Sequence, residues 1–138
     1  MINTNIKDLI SKAIDARKNA YAPYSKYKVG AALLTNGGKV YTGCNIENSS
    51  YSATICAERT AFFKAVSEGE KEFFKMALVC GYDDKLALCA PCGVCLQVMA
   101  EFCKEDFEII TAVSSEEYKI YKLKDLLPHA FSLNNTKK

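Results

Sequence analysis

The 138-residue chain lacks a surplus of charge of either sign: 18 lysines and arginines stand against 16 aspartates and glutamates, a net charge of +2. Its basic residues are scattered apart from the terminal Lys137-Lys138. Without a basic stripe to neutralise a phosphate backbone, nucleic acid is not the expected partner. The chain also lacks any apolar run near the roughly 18 residues that cross a bilayer, and Met1 to Asp8 has no apolar core like that of a signal peptide. These absences predict a cytoplasmic protein with no membrane partner and a small neutral or mildly charged ligand. No linker, repeat or low-complexity tract is present, so residues 1–138 are read as a single domain. That length buries about two-thirds of the surface the unfolded chain would expose. Histidine is nearly missing too. The only one, His129 beside Pro128, reads as an exposed loop residue rather than a metal ligand.

What the chain has in its place is cysteine, seven in all. In a reducing compartment an odd set points to metal ligation or core packing before disulfides. The informative ones form a divided cluster: Cys56-Ala57-Glu58, then Pro91-Cys92-Gly93-Val94-Cys95. Three thiolates can hold a tetrahedral zinc ion and leave its fourth position for water, and a nearby carboxylate that is not a ligand can move protons to and from that water. The combination suggests hydrolysis at a metal.

Hydrophobic periodicity places these residues on elements. Ile6, Leu9, Ile10, Ala13, Ile14 and the stem of Arg17 follow helical spacing, predicting a helix from about Ile6 to Asn19, and Pro23 stops any continuation. Lys28–Thr35 and Lys39–Asn45 read as strands of a hairpin around Asn36-Gly37-Gly38. A helix is expected to start near Cys56 and stop at Gly69, with a buried strand over Phe73–Gly81, a helix from Pro91 to about Cys103, and strands over Phe107–Val113 and Tyr118–Leu123. Asp125-Leu126-Leu127 is at most a short helical turn. This order predicts an α/β layered domain, one mixed sheet covered by helices.

Cys89, Cys92 and Cys95 offer two overlapping CxxC pairs. Proline suits the first position of a helix because its fixed φ is helical and its missing N–H would be unpaired there. A helix beginning at Pro91 puts Cys92 and Cys95 three apart on one face and leaves Cys89 in the preceding loop. Cys92 and Cys95 are therefore the expected ligands, with Cys56 as the third, and both helix N-termini favour thiolate over thiol. Cys44, Cys80, Cys89 and Cys103 are read as ordinary small apolar residues. Three thiolates overcompensate zinc by about one charge, and Arg59, three residues after Cys56, is the expected counter-charge that tunes them.

At this point the chain resembles the cytidine deaminases of the small, homotetrameric, three-cysteine class. The resemblance rests on Tyr21-Ala22-Pro23-Tyr24-Ser25, Val29-Gly30-Ala31-Ala32, Gly43-Cys44-Asn45-Ile46-Glu47-Asn48, Cys56-Ala57-Glu58-Arg59-Thr60-Ala61, Pro91-Cys92-Gly93-Val94-Cys95, and Leu126-Leu127-Pro128 with Phe131. A Cys₃ zinc with a non-ligand glutamate is the known arrangement of zinc deaminases. The resemblance implies a cytidine deaminase-like three-layer fold, a mixed five-stranded sheet flanked by helices. It implies hydrolysis of cytidine or deoxycytidine to uridine or deoxyuridine plus ammonia, as in pyrimidine salvage, with one Zn²⁺ per subunit held by Cys56, Cys92 and Cys95 and Glu58 as base and then acid. It further implies that Asn45 and Glu47 bind the ribose hydroxyls, that Ala57 meets the base through its backbone, and that Tyr27 lines the pyrimidine pocket where Phe is common. Phe131 resembles the phenylalanine lent to a neighbouring subunit's site. Leu96 stands where the family commonly has Arg, so a polar role there is not expected.

Three other readings stay open at this stage. One is deamination of a nucleoside antibiotic of the blasticidin type, against which the Asn45-Ile46-Glu47 segment argues. Another is a non-enzymatic zinc-stabilised binding module, against which the open zinc position and Glu58 argue. The third is an editing deaminase, disfavoured by the absence of a basic stripe.

Overall fold

A computed structural model describes residues 5–133; the Lys137-Lys138 pair lies outside them. Helix α1 (Ile6–Arg17) opens on Asn5, whose side chain accepts from the Asp8 N–H at 2.8 Å. Strands β1 (Tyr27–Thr35) and β2 (Val40–Cys44) form the expected hairpin, with Gly38 at φ 94° in its turn. After a short 3-10 turn at Tyr51–Ala53 come helix α2 (Ala57–Ser67), strands β3 (Phe73–Tyr82) and β4 (Lys85–Ala87), helix α3 (Gly93–Phe102), strands β5 (Glu108–Ala112) and β6 (Tyr118–Lys122), and a one-turn helix α4 (Leu123–Leu126).

The five expected strands run in the order β2-β1-β3-β5-β6, with β3 and β5 parallel and the other pairs antiparallel. β4 is a sixth strand that the sequence reading did not anticipate. It occupies the edge of β3 beyond β5, because β1 covers the opposite edge of β3 as far as Tyr82. The turn into β4 runs through Asp83 at φ 49°, a left-handed conformation that aspartate tolerates better than most residues.

Alternation along the central strands builds three layers. Ala32, Leu34, Ala77, Val79, Ile110 and Ala112 face α1 through Leu9, Ile10 and Ala13. Ala31, Leu33, Met76, Leu78 and Ile109 face α2 and α3 through Ala61, Phe62, Ala65, Leu96 and Met99. The period of two puts neighbouring residues of one strand into different cores. Leu96 is buried in the second of these, which accounts for an apolar residue at that position. The first turn of α2 lies so close to β2 that a Cβ at Gly43 would approach the Ala57 carbonyl oxygen to 2.5 Å. A glycine there lets the helix start sit against the sheet.

Candidate active site

The two halves of the cysteine cluster meet at two helix starts. Cys56 is the N-cap of α2 and Cys92 the N-cap of α3, both extended, with φ/ψ of −80°/156° and −72°/166°. This corrects the expected start of α3, which begins at Gly93, two residues after Pro91; α2 begins at Ala57, next to Cys56 as expected. The ligand choice is unaffected, because an N-cap residue and the one three positions on face each other across the first turn, and these are Cys92 and Cys95. The sulfurs of Cys56 and Cys92 are 3.9 Å apart, and those of Cys92 and Cys95 are 3.6 Å apart. All three lie within 4.8 Å of one another. Zinc–sulfur bonds of about 2.3 Å at the tetrahedral angle require sulfurs about 3.8 Å apart. The donor set therefore fits a zinc ion. Cys89 takes no part in it.

Charge in the cluster is unevenly shared. A hydrogen bond from the Cys95 thiol, helped by Arg59 and opposed by burial, brings Cys56 down to about 5. Cys95 goes the other way: it keeps its proton to donate a hydrogen bond to the Cys56 sulfur, and burial adds to the rise. The lowering at Cys56 thus comes from these side-chain neighbours, and at Cys95 the shift is reversed, because thiolates this close repel unless a cation stands between them. Arg59 supplies part of that cation. Its Nη2 donates to Cys56 Sγ at 3.4 Å, and its buried Nε has no partner among the described residues. Burial works against the guanidinium charge, but Cys56 and Cys95 outweigh it and hold Arg59 more firmly protonated.

Glu58, in the first turn of α2, is 4% exposed. Burial, more than the neighbouring Cys56, pushes its carboxyl up to about 7. A cavity of about 410 Å³ joins Cys56, Glu58 and Cys92 to Tyr27, Asn45 and Glu47. Asn45 Nδ2 donates to the Tyr27 carbonyl at 2.7 Å and its Oδ1 accepts from the Val29 N–H at 2.9 Å, which fixes the amide against β1. One Nδ2 hydrogen remains for a further partner. The Glu47 carboxylate accepts from the N–H groups of Tyr24 and Ser25 and from the Ser25 hydroxyl. The hydroxyl bond holds its pKa below the usual range, followed by the two backbone bonds. Ala57, between Cys56 and Glu58, is fully buried and does not itself line this cavity. Phe131 does not line this cavity. It is 68% exposed near the C-terminus, its carbonyl accepting from Gln97 Nε2 at 2.9 Å. His129 is an exposed turn residue at φ 55°, as expected.

Two further features of the cavity wall escaped the sequence reading. Tyr82 lines the cavity, its ring edge-on to Tyr27 with centroids 4.9 Å apart at 66°. Ending β3 at Gly81 hid it; the Asp83-Asp84 turn chemistry was the available signal. Cys80 and Cys89, expected to be unlinked apolar residues, are joined as a disulfide across the same wall. The hairpin explains the correction. β4 pairs Ala87 with Cys80, so the chain has folded back and Cys89, two residues on, comes within 6.6 Å Cα to Cα. That separation is within reach of a disulfide. Cys44 and Cys103 are half-buried, as small apolar residues.

Residues 3–111 match the family model described as the cytidine and deoxycytidylate deaminase zinc-binding region. A cytidine deaminase from Sporosarcina psychrophila is 47% identical over 128 residues, 93% of this chain and 92% of that protein. One from Halalkalibacterium halodurans is 48% identical over 124 residues, covering 90% of this chain and 92% of that one. A crystal structure of the cytidine deaminase from Burkholderia pseudomallei superposes with a TM-score of 0.83 at 45% identity, over 93% of this chain and all of that one. Three sulfurs at zinc spacing, a buried glutamate beside them and these likenesses over nearly the whole chain agree: the protein belongs to the zinc-dependent cytidine and deoxycytidylate deaminase family.

Proposed function

We propose that the chain acts as one catalytic domain that hydrolyses cytidine and deoxycytidine to uridine and deoxyuridine with release of ammonia. Cys56, Cys92 and Cys95 hold one zinc ion per subunit. The observation that carries this reading is the shared cavity, lined both by Cys56, Cys92 and buried Glu58 and by Asn45 and Glu47. A nucleoside likewise has two parts to be held, an aminopyrimidine and a ribose. Zinc, when bound, supplies the Lewis acid that makes water nucleophilic near neutral pH.

The residues of the chain divide the remaining work. Glu58 takes a proton from the water as its oxygen bonds to C4 and delivers that proton to N3; it then takes the remaining proton from the C4 hydroxyl and delivers it to the amine as the C4–N bond breaks and the C4 carbonyl forms. A carboxyl near 7 is suited to both directions, since it neither holds nor releases its proton too firmly at neutral pH. Arg59 tunes the thiolates by drawing charge from Cys56. Asn45 and Glu47 orient the ribose, Ala57 meets the base through its backbone, and Tyr27 gives the pyrimidine a flat wall. The enzyme works as a homotetramer in which Phe131 reaches a neighbour's cavity. The exposure of Phe131, Tyr24 and Tyr51 supports such covering. It acts on free nucleosides in pyrimidine salvage, in the cytoplasm. No helix among the described residues is long and apolar enough to cross a membrane.

The test is to incubate zinc-loaded protein with cytidine, deoxycytidine, cytosine and blasticidin S, following ultraviolet absorbance and ammonia. Loss of the aminopyrimidine band with both nucleosides, and little with blasticidin S, is expected. Inertness towards both nucleosides would sink the reading.

A further inference from the structure

We propose that Tyr82 is a positioning residue for the substrate: it holds the Tyr27 ring in place as the aromatic wall of the nucleoside cavity. This rests on the deamination reading above and adds to it a residue on a different strand from the zinc-binding helices and from the ribose-binding segment.

The pairing register puts Tyr27 directly opposite Tyr82, so the two side chains leave the sheet on the same face. Their rings meet edge to face at 4.9 Å and 66°, and both line the cavity that holds Glu58. Tyr82 is nevertheless 58% exposed, so the hydrophobic core does not depend on its ring. Its backbone is secured independently. The Arg17 guanidinium donates to the carbonyls on either side of it, Gly81 at 2.7 Å and Asp83, while Nε donates to the Lys28 carbonyl at 3.0 Å beside Tyr27. β4 pairs with Gly81 and Tyr82, and the Cys80–Cys89 link lies two residues away.

One guanidinium thus ties together the strand ends that carry both rings, and the rings meet over the cavity. Tyr27 stands at the first position of β1, half-buried, where a ring with no neighbour would turn freely about χ1. An edge-to-face partner removes that freedom before the substrate arrives, so less ordering remains to be done on binding. Glu58 and the three sulfurs are held by α2 and α3 rather than by this strand end. The effect of Tyr82 therefore belongs to binding and not to the proton transfers.

The experiment compares zinc-loaded wild type, Tyr82→Phe, Tyr82→Ala, Tyr27→Ala and the Tyr27→Ala/Tyr82→Ala double variant. Each is measured for cytidine turnover, calorimetric uridine affinity and zinc content. Tyr82→Ala is expected to raise KM and the uridine Kd by about 2- to 10-fold, the scale of one aromatic pair, with kcat and zinc unchanged. Tyr82→Phe keeps the ring and should behave as wild type. In the Tyr27→Ala background the second substitution should add nothing, since Tyr82 acts through Tyr27. Unchanged uridine affinity in Tyr82→Ala, fully additive losses in the double variant, or a fall in kcat accompanied by zinc loss would each overturn the proposal. A wild type that binds uridine yet fails to turn over cytidine would instead refute the deamination reading, and the uridine series would still decide the role of Tyr82.

Discussion

Replacing Glu58 with glutamine separates chemistry from folding at one position. The carboxyl sits in the first turn of α2, 4% exposed, and burial raises it from 4.5 to about 7. Because the folded state holds this proton more tightly than the unfolded chain, the group lowers stability as pH rises from 4.5 to about 7, and the loss is complete above that. A rise of that size corresponds to about 3 kcal/mol at most. Glutamine keeps the shape without the charge. Metal-free Glu58→Gln protein is therefore expected to exceed the metal-free parent in stability by up to about 3 kcal/mol at about pH 8, and to match it at about pH 4. Urea unfolding at the two pH values measures this. Zinc-loaded Glu58→Gln protein should meanwhile keep its metal and lose about 10²- to 10⁴-fold in turnover, the scale of general acid and base catalysis. Near-normal turnover would remove Glu58 from the mechanism, and a stability difference indifferent to pH would refute the account of its burial.

Three further outcomes are expected. Arg59→Gln should fold but lose the cation beside Cys56, so the Cys56 thiolate band in metal-free protein moves to higher pH, and zinc uptake against a chelator follows it; unchanged titration and uptake would dismiss Arg59 as a tuner. Phe131→Ala should lose activity while retaining zinc. Mixing it with Glu58→Gln subunits should restore part of that activity through sites with an intact Glu58 and a neighbour's Phe131, and no recovery in re-formed oligomers would refute a shared site. Finally, thiol titration of denatured, metal-free protein should find five thiols before reduction and seven after it. Replacing both Cys80 and Cys89 with alanine should lower unfolding stability by roughly 2–3 kcal/mol, as expected for a closed loop of about ten residues. Seven thiols at the outset would show that the two sulfurs are not bonded.

Much of the architecture was legible because it depends on short-range pattern. The α1 stripe, the Asn36-Gly37-Gly38 hairpin and the stop at Gly69 are local matters of period and backbone freedom, and the elements formed within one or two residues of expectation. The start of α3 was misplaced for an equally local reason. Proline is acceptable both at the first helical residue and just before it, and only the backbone angles of Cys92 decide between them. The β4 strand was hidden because three residues are too few to show alternation.

By itself the sequence determined the metal chemistry of this protein. Three cysteines, a glutamate two residues after the first, and a scarcity of histidine leave few other uses for the set, since ligand type and helical spacing are written in residue identity. What it could not determine was everything that depends on strands meeting from distant parts of the chain. The Tyr27–Tyr82 contact follows from the β1–β3 register, and the Cys80–Cys89 link follows from the return of β4. The pKa of Glu58 follows from its burial in the cavity at the first turn of α2. Contacts of this kind arise when separate apolar faces close over one another, and a linear spacing carries no measure of that closure.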